Sequence, residues 1–279
     1  MIIFIYTGSH IRHSKDLAKG IRDFLTAQKV VVVAEDKEAK EIGAIPFSEI
    51  NSQEIDFILS LGGDGTILGL VHQHEHLHAP ILGINLGHLG FMADVPLHDV
   101  YPSLQDLING NYHIEERLIL QGEAPTGEIC FAVNDLVIHR SSNPNLIEIG
   151  IHVDGLYLNT FEADGMIIAT PNGSTAYSLA AGGPILSPNL EAVVITPICP
   201  HTISNRPLVL TANQKIQIQY LSSYKSVEIC ADGLSHHTLE TGAVFHICRS
   251  PKKFRLVNLL RRDYFSTLRT KLSWSGKLR

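Results

Sequence analysis

The chain has few of the residues that mark fibrous, stapled or membrane-spanning proteins. Aromatic residues make up 7% of its 279 positions, with a single tryptophan, and charged residues 18%. With 44% hydrophobic residues beside them, these values exclude a solvated, disordered chain and describe a globular one. The four cysteines (Cys130, Cys199, Cys230 and Cys248) lie far apart without a CxxC pair, so neither a disulfide framework nor a zinc site is indicated. No apolar run approaches the ~20 residues of a spanning helix, so no membrane partner is expected. Residues 1–6 are apolar but lack a preceding basic segment; they read as a first strand, not a signal peptide, and cytoplasm is the expected location. A GxSxG elbow, a Walker loop and a dinucleotide GxGxxG are all missing. If phosphates are handled here, a different loop handles them.

The formal charge of −6 gives no reason to expect nucleic acid as a partner, but it is unevenly spread. From Arg249 onward ten Lys/Arg face the single acid Asp263, giving +9 there and −15 on the preceding residues. A solvated helix face docked on an acidic body is the favoured reading of that tail.

Residues 1 to about 95 alternate between strands (2–6, 30–34, 55–61, 80–85) and helices (14–28, 66–76). This pattern implies an open parallel sheet with ligands at the carboxyl ends of its strands. One helix follows at 97–109. Then come short β-rich runs at 129–139, 146–153, 156–161, 166–170, 192–197, 207–210, 215–220, 226–231 and 243–247, spaced as in an all-β domain. Small residues at 174–181 suit a short helix or a tight loop. The last segment, 263–274, is amphipathic, with Phe265, Leu268 and Leu272 on one helical face.

The chemistry concentrates in a few tracts. Gly62-Gly63-Asp64-Gly65-Thr66 joins a buried strand to a helix, a layout in which backbone N–H groups and a helix N-terminus can hold an anion. Glycine there permits positive φ and close ligand approach. Asp64 either caps the helix of a tight βα turn or serves phosphate chemistry, as a proton acceptor or near a metal. A second glycine-rich crossing runs Gly83-Ile84-Asn85-Leu86-Gly87-His88-Leu89-Gly90-Phe91. Asn134-Asp135 interrupts an apolar strand; an amide beside a carboxylate suits a ribose diol, and a strand end or bulge is the alternative. The tract from Asp164-Gly165 through Thr170-Pro171-Asn172-Gly173-Ser174-Thr175-Ala176-Tyr177-Ser178 to Gly182-Gly183-Pro184 offers backbone and hydroxyl hydrogen bonds and a stacking face. His72, His74, His76 and His78 alternate, but on a helix they split between two faces, and a solvated helix end is favoured over a metal site.

Taken together, these tracts resemble the NAD kinase family over most of the chain. Gly62 to Thr66 is similar to that family's GGDGT signature, and Asn85 to Phe91 to its glycine-rich crossing ending in an aromatic. Asn134-Asp135 is similar to its Asn-Glu pair, one methylene shorter. Asp164 to Pro184 is similar to its DG…TPxGSTAYSL…GGP segment. The tract from Pro200 to Leu208 and the closing Tyr264 to Trp274 also resemble family tracts. Lipid kinases and phosphofructokinases share loops related to the first signature; the long central segment does not point to them. Two departures stand out: Glu162 replaces a frequent basic residue, and Leu234 follows Asp232-Gly233 where Gln is frequent.

The resemblance implies an α/β N-terminal domain with a parallel Rossmann-like sheet (1–97 plus about 255–279) and a C-terminal all-β, sandwich-like domain (98–254), with a C-terminal helix packed back on the first. It implies transfer of the γ-phosphate of ATP to the adenosine 2′-hydroxyl of NAD+. Asp64 would be the catalytic base, and Gly62, Gly63, Gly65 and Thr66 the donor-phosphate loop. NAD+ would be met by Asp64, Gly65, Phe91 (against adenine), Asn134, Asp135, Asn145, Glu162, Asp164, Thr175, Ala176, Tyr177, Ser178, Leu179 and Ala180. Mg2+ would ride on the donor phosphates without protein side-chain ligands, and a homodimer or homotetramer is implied. A catalytically silent NAD(P)-binding regulator is the rival from another class.

Overall fold

A computed structural model of the chain describes residues 1–8, 14–87, 89–201, 205–261 and 263–274; His88 and residues 202–204, which belong to two of the tracts above, lie outside the described residues. The chain divides into two compact units, Met1–Glu115 with Arg255–Arg279, and Glu116–Phe254. The first unit therefore extends past the expected boundary at 97, because the helix after it belongs there.

In the first unit the elements run β1 (Ile2–Thr7), α1 (Ser14–Ala27), β2 (Val31–Ala34), α2 (Asp36–Ile42), β3 (Ile45–Pro46), β4 (Phe57–Gly62), α3 (Asp64–Gln73), β5 (Ile81–Asn85), β6 (Ala93–Pro96) and α4 (Val100–Asn109). The strands are parallel in the order β3-β2-β1-β4-β5-β6. β-Branched runs such as Val31-Val32-Val33 suit strands covered on both faces. Ala18, Ile21 and Leu25 of α1 and Leu104 and Leu107 of α4 pack on Ile3, Ile5 and Leu59. α2 is short and ends at Gly43, whose φ of +74° is the left-handed cap that glycine adopts without strain. The chain order reverses between β1 and β4, the switch point where open α/β sheets take ligands. Gly62 and Asn85 pair directly, so both glycine-rich crossings leave from neighbouring carboxyl ends.

The second unit contains β7 (His113–Glu123), which starts in the first unit, then β8 (Ile129–Ala132), β9 (Asp135–His139), β10 (Ile147–Val153), β11 (Leu156–Ala163), β12 (Gly165–Ala169), α5 (Tyr177–Ala180), β13 (Ala192–Ile198), β14 (Leu208–Thr211), β15 (Ile216–Tyr220), β16 (Val227–Ala231), β17 (Ser235–Leu239) and most of β18 (Val244–Asn258). One antiparallel sheet has the order β14-β13-β12-β9-β16-β17; the other strands form β11-β10-β15-β18 and the hairpin β7–β8. Ile138, Met166, Ile168 and Ile229 from the first sheet meet Ile149, Ile218 and Phe245 from the second in one core. The outer face of the first sheet is also covered, with Val137, Ile167 and Val194 packed against Leu186.

The expected strand at 129–139 is two strands: β8 belongs to one sheet and β9 to the other, with Asn134 at the break. The last helix, α6 (Tyr264–Lys271), lies in the first unit, its N-cap Asp263 accepting from the Ser266 N–H at 2.9 Å. Its expected apolar face is incomplete: Leu268 is buried, but Phe265 is exposed. The histidine cluster also differs. α3 stops at Gln73, and His74 turns inward among Phe4, Tyr6 and Phe47, with Nε2 2.6 Å from the Glu35 carboxylate. Only the later part of the cluster, His76 and His78, is solvated.

Candidate functional site

In the first unit the site is built around Asp64. Gly63, not Asp64, is the N-cap of α3, and it caps without a side-chain bond; Asp64 is the first helical residue. Its carboxylate reaches across to the second glycine-rich crossing. Oδ2 accepts the Phe91 N–H (2.8 Å), and Oδ1 accepts those of Met92 (3.0 Å) and Ala93 (2.9 Å). Gly90 makes this possible, since a Cβ there would lie 2.0 Å from Oδ1. The helix-capping alternative for Asp64 is thus overturned: its oxygens face a different loop.

Of the glycines of the first signature, Gly62 is needed for space, and none is needed for positive φ. None of Gly62, Gly63 and Gly65 has a positive φ. A Cβ on Gly62 would strike Thr66 Oγ1 at 2.1 Å, whereas one on Gly63 or Gly65 would meet nothing within 4 Å. The open side of Gly63 and Gly65 leaves the backbone at the α3 N-terminus approachable by an anion. Phe91 is half-buried, with Lys271 Nζ 5.3 Å from its ring centroid and Tyr264 6.2 Å away. Lys271 also donates to the Leu89 carbonyl (2.8 Å), so α6 holds the loop that supplies the donors to Asp64.

In the second unit a cavity of about 620 Å³ is lined by Asn134, Asp135, Asp164, Ala176 and Tyr177, which the sequence had singled out. It is also lined by residues the sequence reading did not assign, among them His139, Arg140, Cys230, Asp232 and Gly233. The remaining assigned residues are not on this wall. Ser178 is fully buried, its hydroxyl bonded to Thr196 Oγ1 (2.9 Å), and Thr175 Oγ1 is turned to the Asn172 carbonyl (3.1 Å). Leu179, Ala180, Asn145 and Glu162 do not line the cavity, and Glu162 pairs instead with His201 at 3.6 Å.

The wall is held by close backbone packing. Thr170 Oγ1 donates to the Val133 carbonyl (2.6 Å) and accepts from the Gly173 N–H (3.0 Å), while the Thr170 N–H donates to the Asn134 carbonyl (2.8 Å). A Cβ on Gly173 would lie 2.0 Å from the Asn134 carbonyl oxygen, so the Asn-Gly step of this tract is a packing requirement of the β8–β9 break.

Asp232 plays for that break the part Asp64 plays for its own loop. Asp232 and Gly233 have φ of +52° and +72°, the two positive values a type I′ hairpin turn requires. From this turn the Asp232 carboxylate accepts the N–H groups of Val133 (2.8 Å), Asn134 (2.7 Å) and Asp135 (3.1 Å). The Asp-Gly pair between two strand runs was the available signal for the turn, but nothing local shows where its carboxylate points. Asp135 is buried, and desolvation, aided by the charge of Asp232, pushes its carboxyl up to about 7. Asp164 is held by the Arg140 Nε–H at 2.9 Å. The cavity thus offers amide donors, a carboxyl that changes charge near neutrality, a fixed carboxylate and the ring of Tyr177. Ligand pockets typically measure roughly 300–1,000 Å³, and this set of groups suits a nucleoside or dinucleotide.

Comparison with known proteins agrees with both halves. The ATP-NAD kinase N-terminal domain model matches residues 11–112, and the ATP-NAD kinase C-terminal domain model residues 133–259. The chain is 57% identical over 266 residues to the NAD kinase of Protochlamydia amoebophila, covering 95% of each chain, and 38% identical over 283 residues to that of Geobacter metallireducens, covering 99% of each. Among solved structures it is similar to yeast NADH kinase complexed with NADH (TM-score 0.88, 27% identity, 100% of this chain and 89% of that one). It is also similar to an NAD kinase from Archaeoglobus fulgidus in complex with ATP (TM-score 0.77, 25% identity, 99% and 100%). With two domain models matched in order and close relatives aligned nearly end to end, the chain belongs to the ATP-NAD kinase family.

Proposed function

We propose how this chain's residues divide the labour of an NAD kinase, which transfers the γ-phosphate of ATP to the adenosine 2′-hydroxyl of NAD+. Phosphoryl transfer asks mainly for alignment and for stabilisation of charge. The backbone of Gly62, Gly63, Gly65 and Thr66 is assigned to the donor phosphates, supported by the open side of Gly63 and Gly65. The cavity with Asn134, Asp135, Asp164, Ala176 and Tyr177 is assigned to NAD+, with Phe91 against a base.

Asp64 is assigned as the base that accepts the 2′-hydroxyl proton. The observation that carries this is its anchoring: three N–H donors fix the carboxylate, two on Oδ1 and one on Oδ2. A carboxylate has about four acceptor positions, so Oδ2 keeps one for a proton. The same anchoring favours a second reading, in which Asp64 only orders the crossing at 90–93. Asp64→Asn separates the two when NADP+ formation and ATP and NAD+ binding are measured side by side. A base assignment requires turnover to fall ~10²- to 10⁴-fold with binding retained; near-normal turnover sinks it, and loss of both points to the ordering role.

Among the described residues no cluster of three or more His, Cys, Asp or Glu is placed to hold a metal. Mg2+ is assigned to the donor phosphates, where it would neutralise charge developing on the transferred group. Chelation should therefore stop turnover without lowering the melting temperature of the nucleotide-free protein. No helix among the described residues is long and apolar enough to cross a membrane; a cytoplasmic location and a homo-oligomeric state complete the proposal. The latter is supported by the exposed Leu156 and Tyr157 on the edge strand β11 and is tested by light scattering.

A further inference from the structure

Arg117, Asn172 and Asn134 form a chain of side-chain hydrogen bonds that ends at the cavity. Arg117 is buried, and its Nη1 donates to Asn172 Oδ1 at 2.5 Å. Asn172, also buried, donates through Nδ2 to Asn134 Oδ1 at 2.7 Å. The chain has one direction. A guanidinium has only donors, so the group facing Arg117 must be the oxygen of Asn172. The Asn172 amide is then forced to present its NH₂ to Asn134, and Asn134 must answer with its oxygen. What remains of Asn134 is its Nδ2, a donor, and Asn134 lines the cavity.

We propose that Arg117 and Asn172 are positioning residues that set the polarity of the cavity wall, holding Asn134 with its NH₂ edge toward the ligand. An asparagine without such a relay offers either edge at the cost of a rotation about χ2. With it, the wall selects an acceptor atom at that point, such as a hydroxyl, ring-nitrogen or carbonyl lone pair, and disfavours an ammonium or amide donor. The backbone is fixed as well: the Asn134 N–H is bound by Asp232 and its carbonyl by the Thr170 N–H, so the side chain cannot adapt by moving the chain. The second step, that this edge meets NAD+, rests on the assignment of the cavity to the dinucleotide.

The test is an isosteric reversal. Asn172→Asp keeps the shape, pairs with Arg117 and leaves only acceptor atoms facing Asn134, which must flip to donate its NH₂ and show its oxygen to the cavity. Asn134→Asp keeps the bond from Asn172 but replaces the cavity-facing NH₂ with oxygen. Its missing signal also identifies the Asn134 NH₂ in amide spectra of the full chain. In the wild type that NH₂ should exchange rapidly with water; in N172D exchange should slow at least ~10-fold as the group becomes bonded and buried. Unchanged exchange in a folded N172D overturns the relay. NAD+ affinity, read by calorimetry, should fall ~10- to 100-fold in both variants, the range for an acceptor set against the ligand's acceptor where a donor had been. A reversed amide with unchanged NAD+ affinity supports the relay and overturns the assignment of Asn134 to the dinucleotide, so the two failures are distinguishable.

Discussion

Asp135 gives the sharpest quantitative test. Its carboxyl is pushed from 3.8 to about 7 in the folded protein by burial and by the neighbouring Asp232. The folded state then binds more protons than the unfolded state between those values, so this group's contribution makes stability fall as pH rises from about 4 to about 7 and levels off above. Asp135→Asn copies the neutral form and removes the dependence. Between pH 5 and pH 8 the folded carboxyl keeps, over just under two pH units' worth of the window, a proton that the unfolded carboxyl has already lost. At ~1.4 kcal/mol per unit, the stability of D135N relative to wild type should rise by roughly 3 kcal/mol. Urea unfolding of both proteins at the two pH values measures it, and subtraction cancels every group that titrates alike in both. A difference that stays flat, or that favours wild type at pH 8, refutes the argument that this carboxyl is desolvated and charge-coupled.

Further outcomes follow from the same geometry. Asp232→Asn should go the other way from D135N: an amide has one oxygen for three N–H donors, so it should lose about 1–3 kcal/mol in urea unfolding at pH 8. Gly173→Ala places a Cβ on a backbone oxygen that cannot move away, and should destabilise by about 1–3 kcal/mol or more in the same assay. Gly90→Ala drives a Cβ into Asp64 Oδ1, so it should lower kcat for NADP+ formation with the Asp64 side chain intact. Lys271→Met, which breaks the bond to Leu89, should lower kcat more than it raises KM for NAD+, and Lys271→Arg should restore part of the loss.

The parallel sheet of the first unit was legible because its strands are covered on both faces and so read as unbroken apolar runs. α2 was not: seven residues, Asp36–Ile42, carry too few apolar positions to show a period, and the helix is held by Gly43 and by packing. β7 was missed because Glu115, Glu116 and Arg117 hide its outset, and the buried arginine is intelligible only once Asn172 is beside it. The single strand read at 129–139 failed for a different reason. Hydrophobicity reports that a residue is buried, not which sheet buries it, and Asn134 marks a change of sheet between two apolar stretches. Ser178 is the converse case: a hydroxyl in a ligand-like tract whose partner proves to be Thr196 in the interior.

Two carboxylates, Asp64 in the first unit and Asp232 in the second, solve one problem in the same way. Each glycine-rich or polar break leaves consecutive N–H groups without a strand or helix partner, which is costly when they are withdrawn from water. Each is met by a carboxylate from a distant turn, sequence separations being 27–29 residues for Asp64 and 97–99 for Asp232. Such an anchor uses most but not all of the carboxylate's acceptor positions, and it fixes the charge where loop backbone alone would be mobile. A group held this way is at once structural and chemically available. Activity loss in an Asp64 variant is therefore uninformative by itself, whereas Gly90→Ala beside Asp64→Asn is decisive. The first displaces the carboxylate and keeps its chemistry; the second keeps the two bonds on Oδ1, sets an NH₂ against the Phe91 N–H and removes the ability to accept the proton. If Asp64 acts as base, D64N must be the more damaging of the two to kcat at saturating substrate. If it only orders the loop, G90A must equal or exceed it.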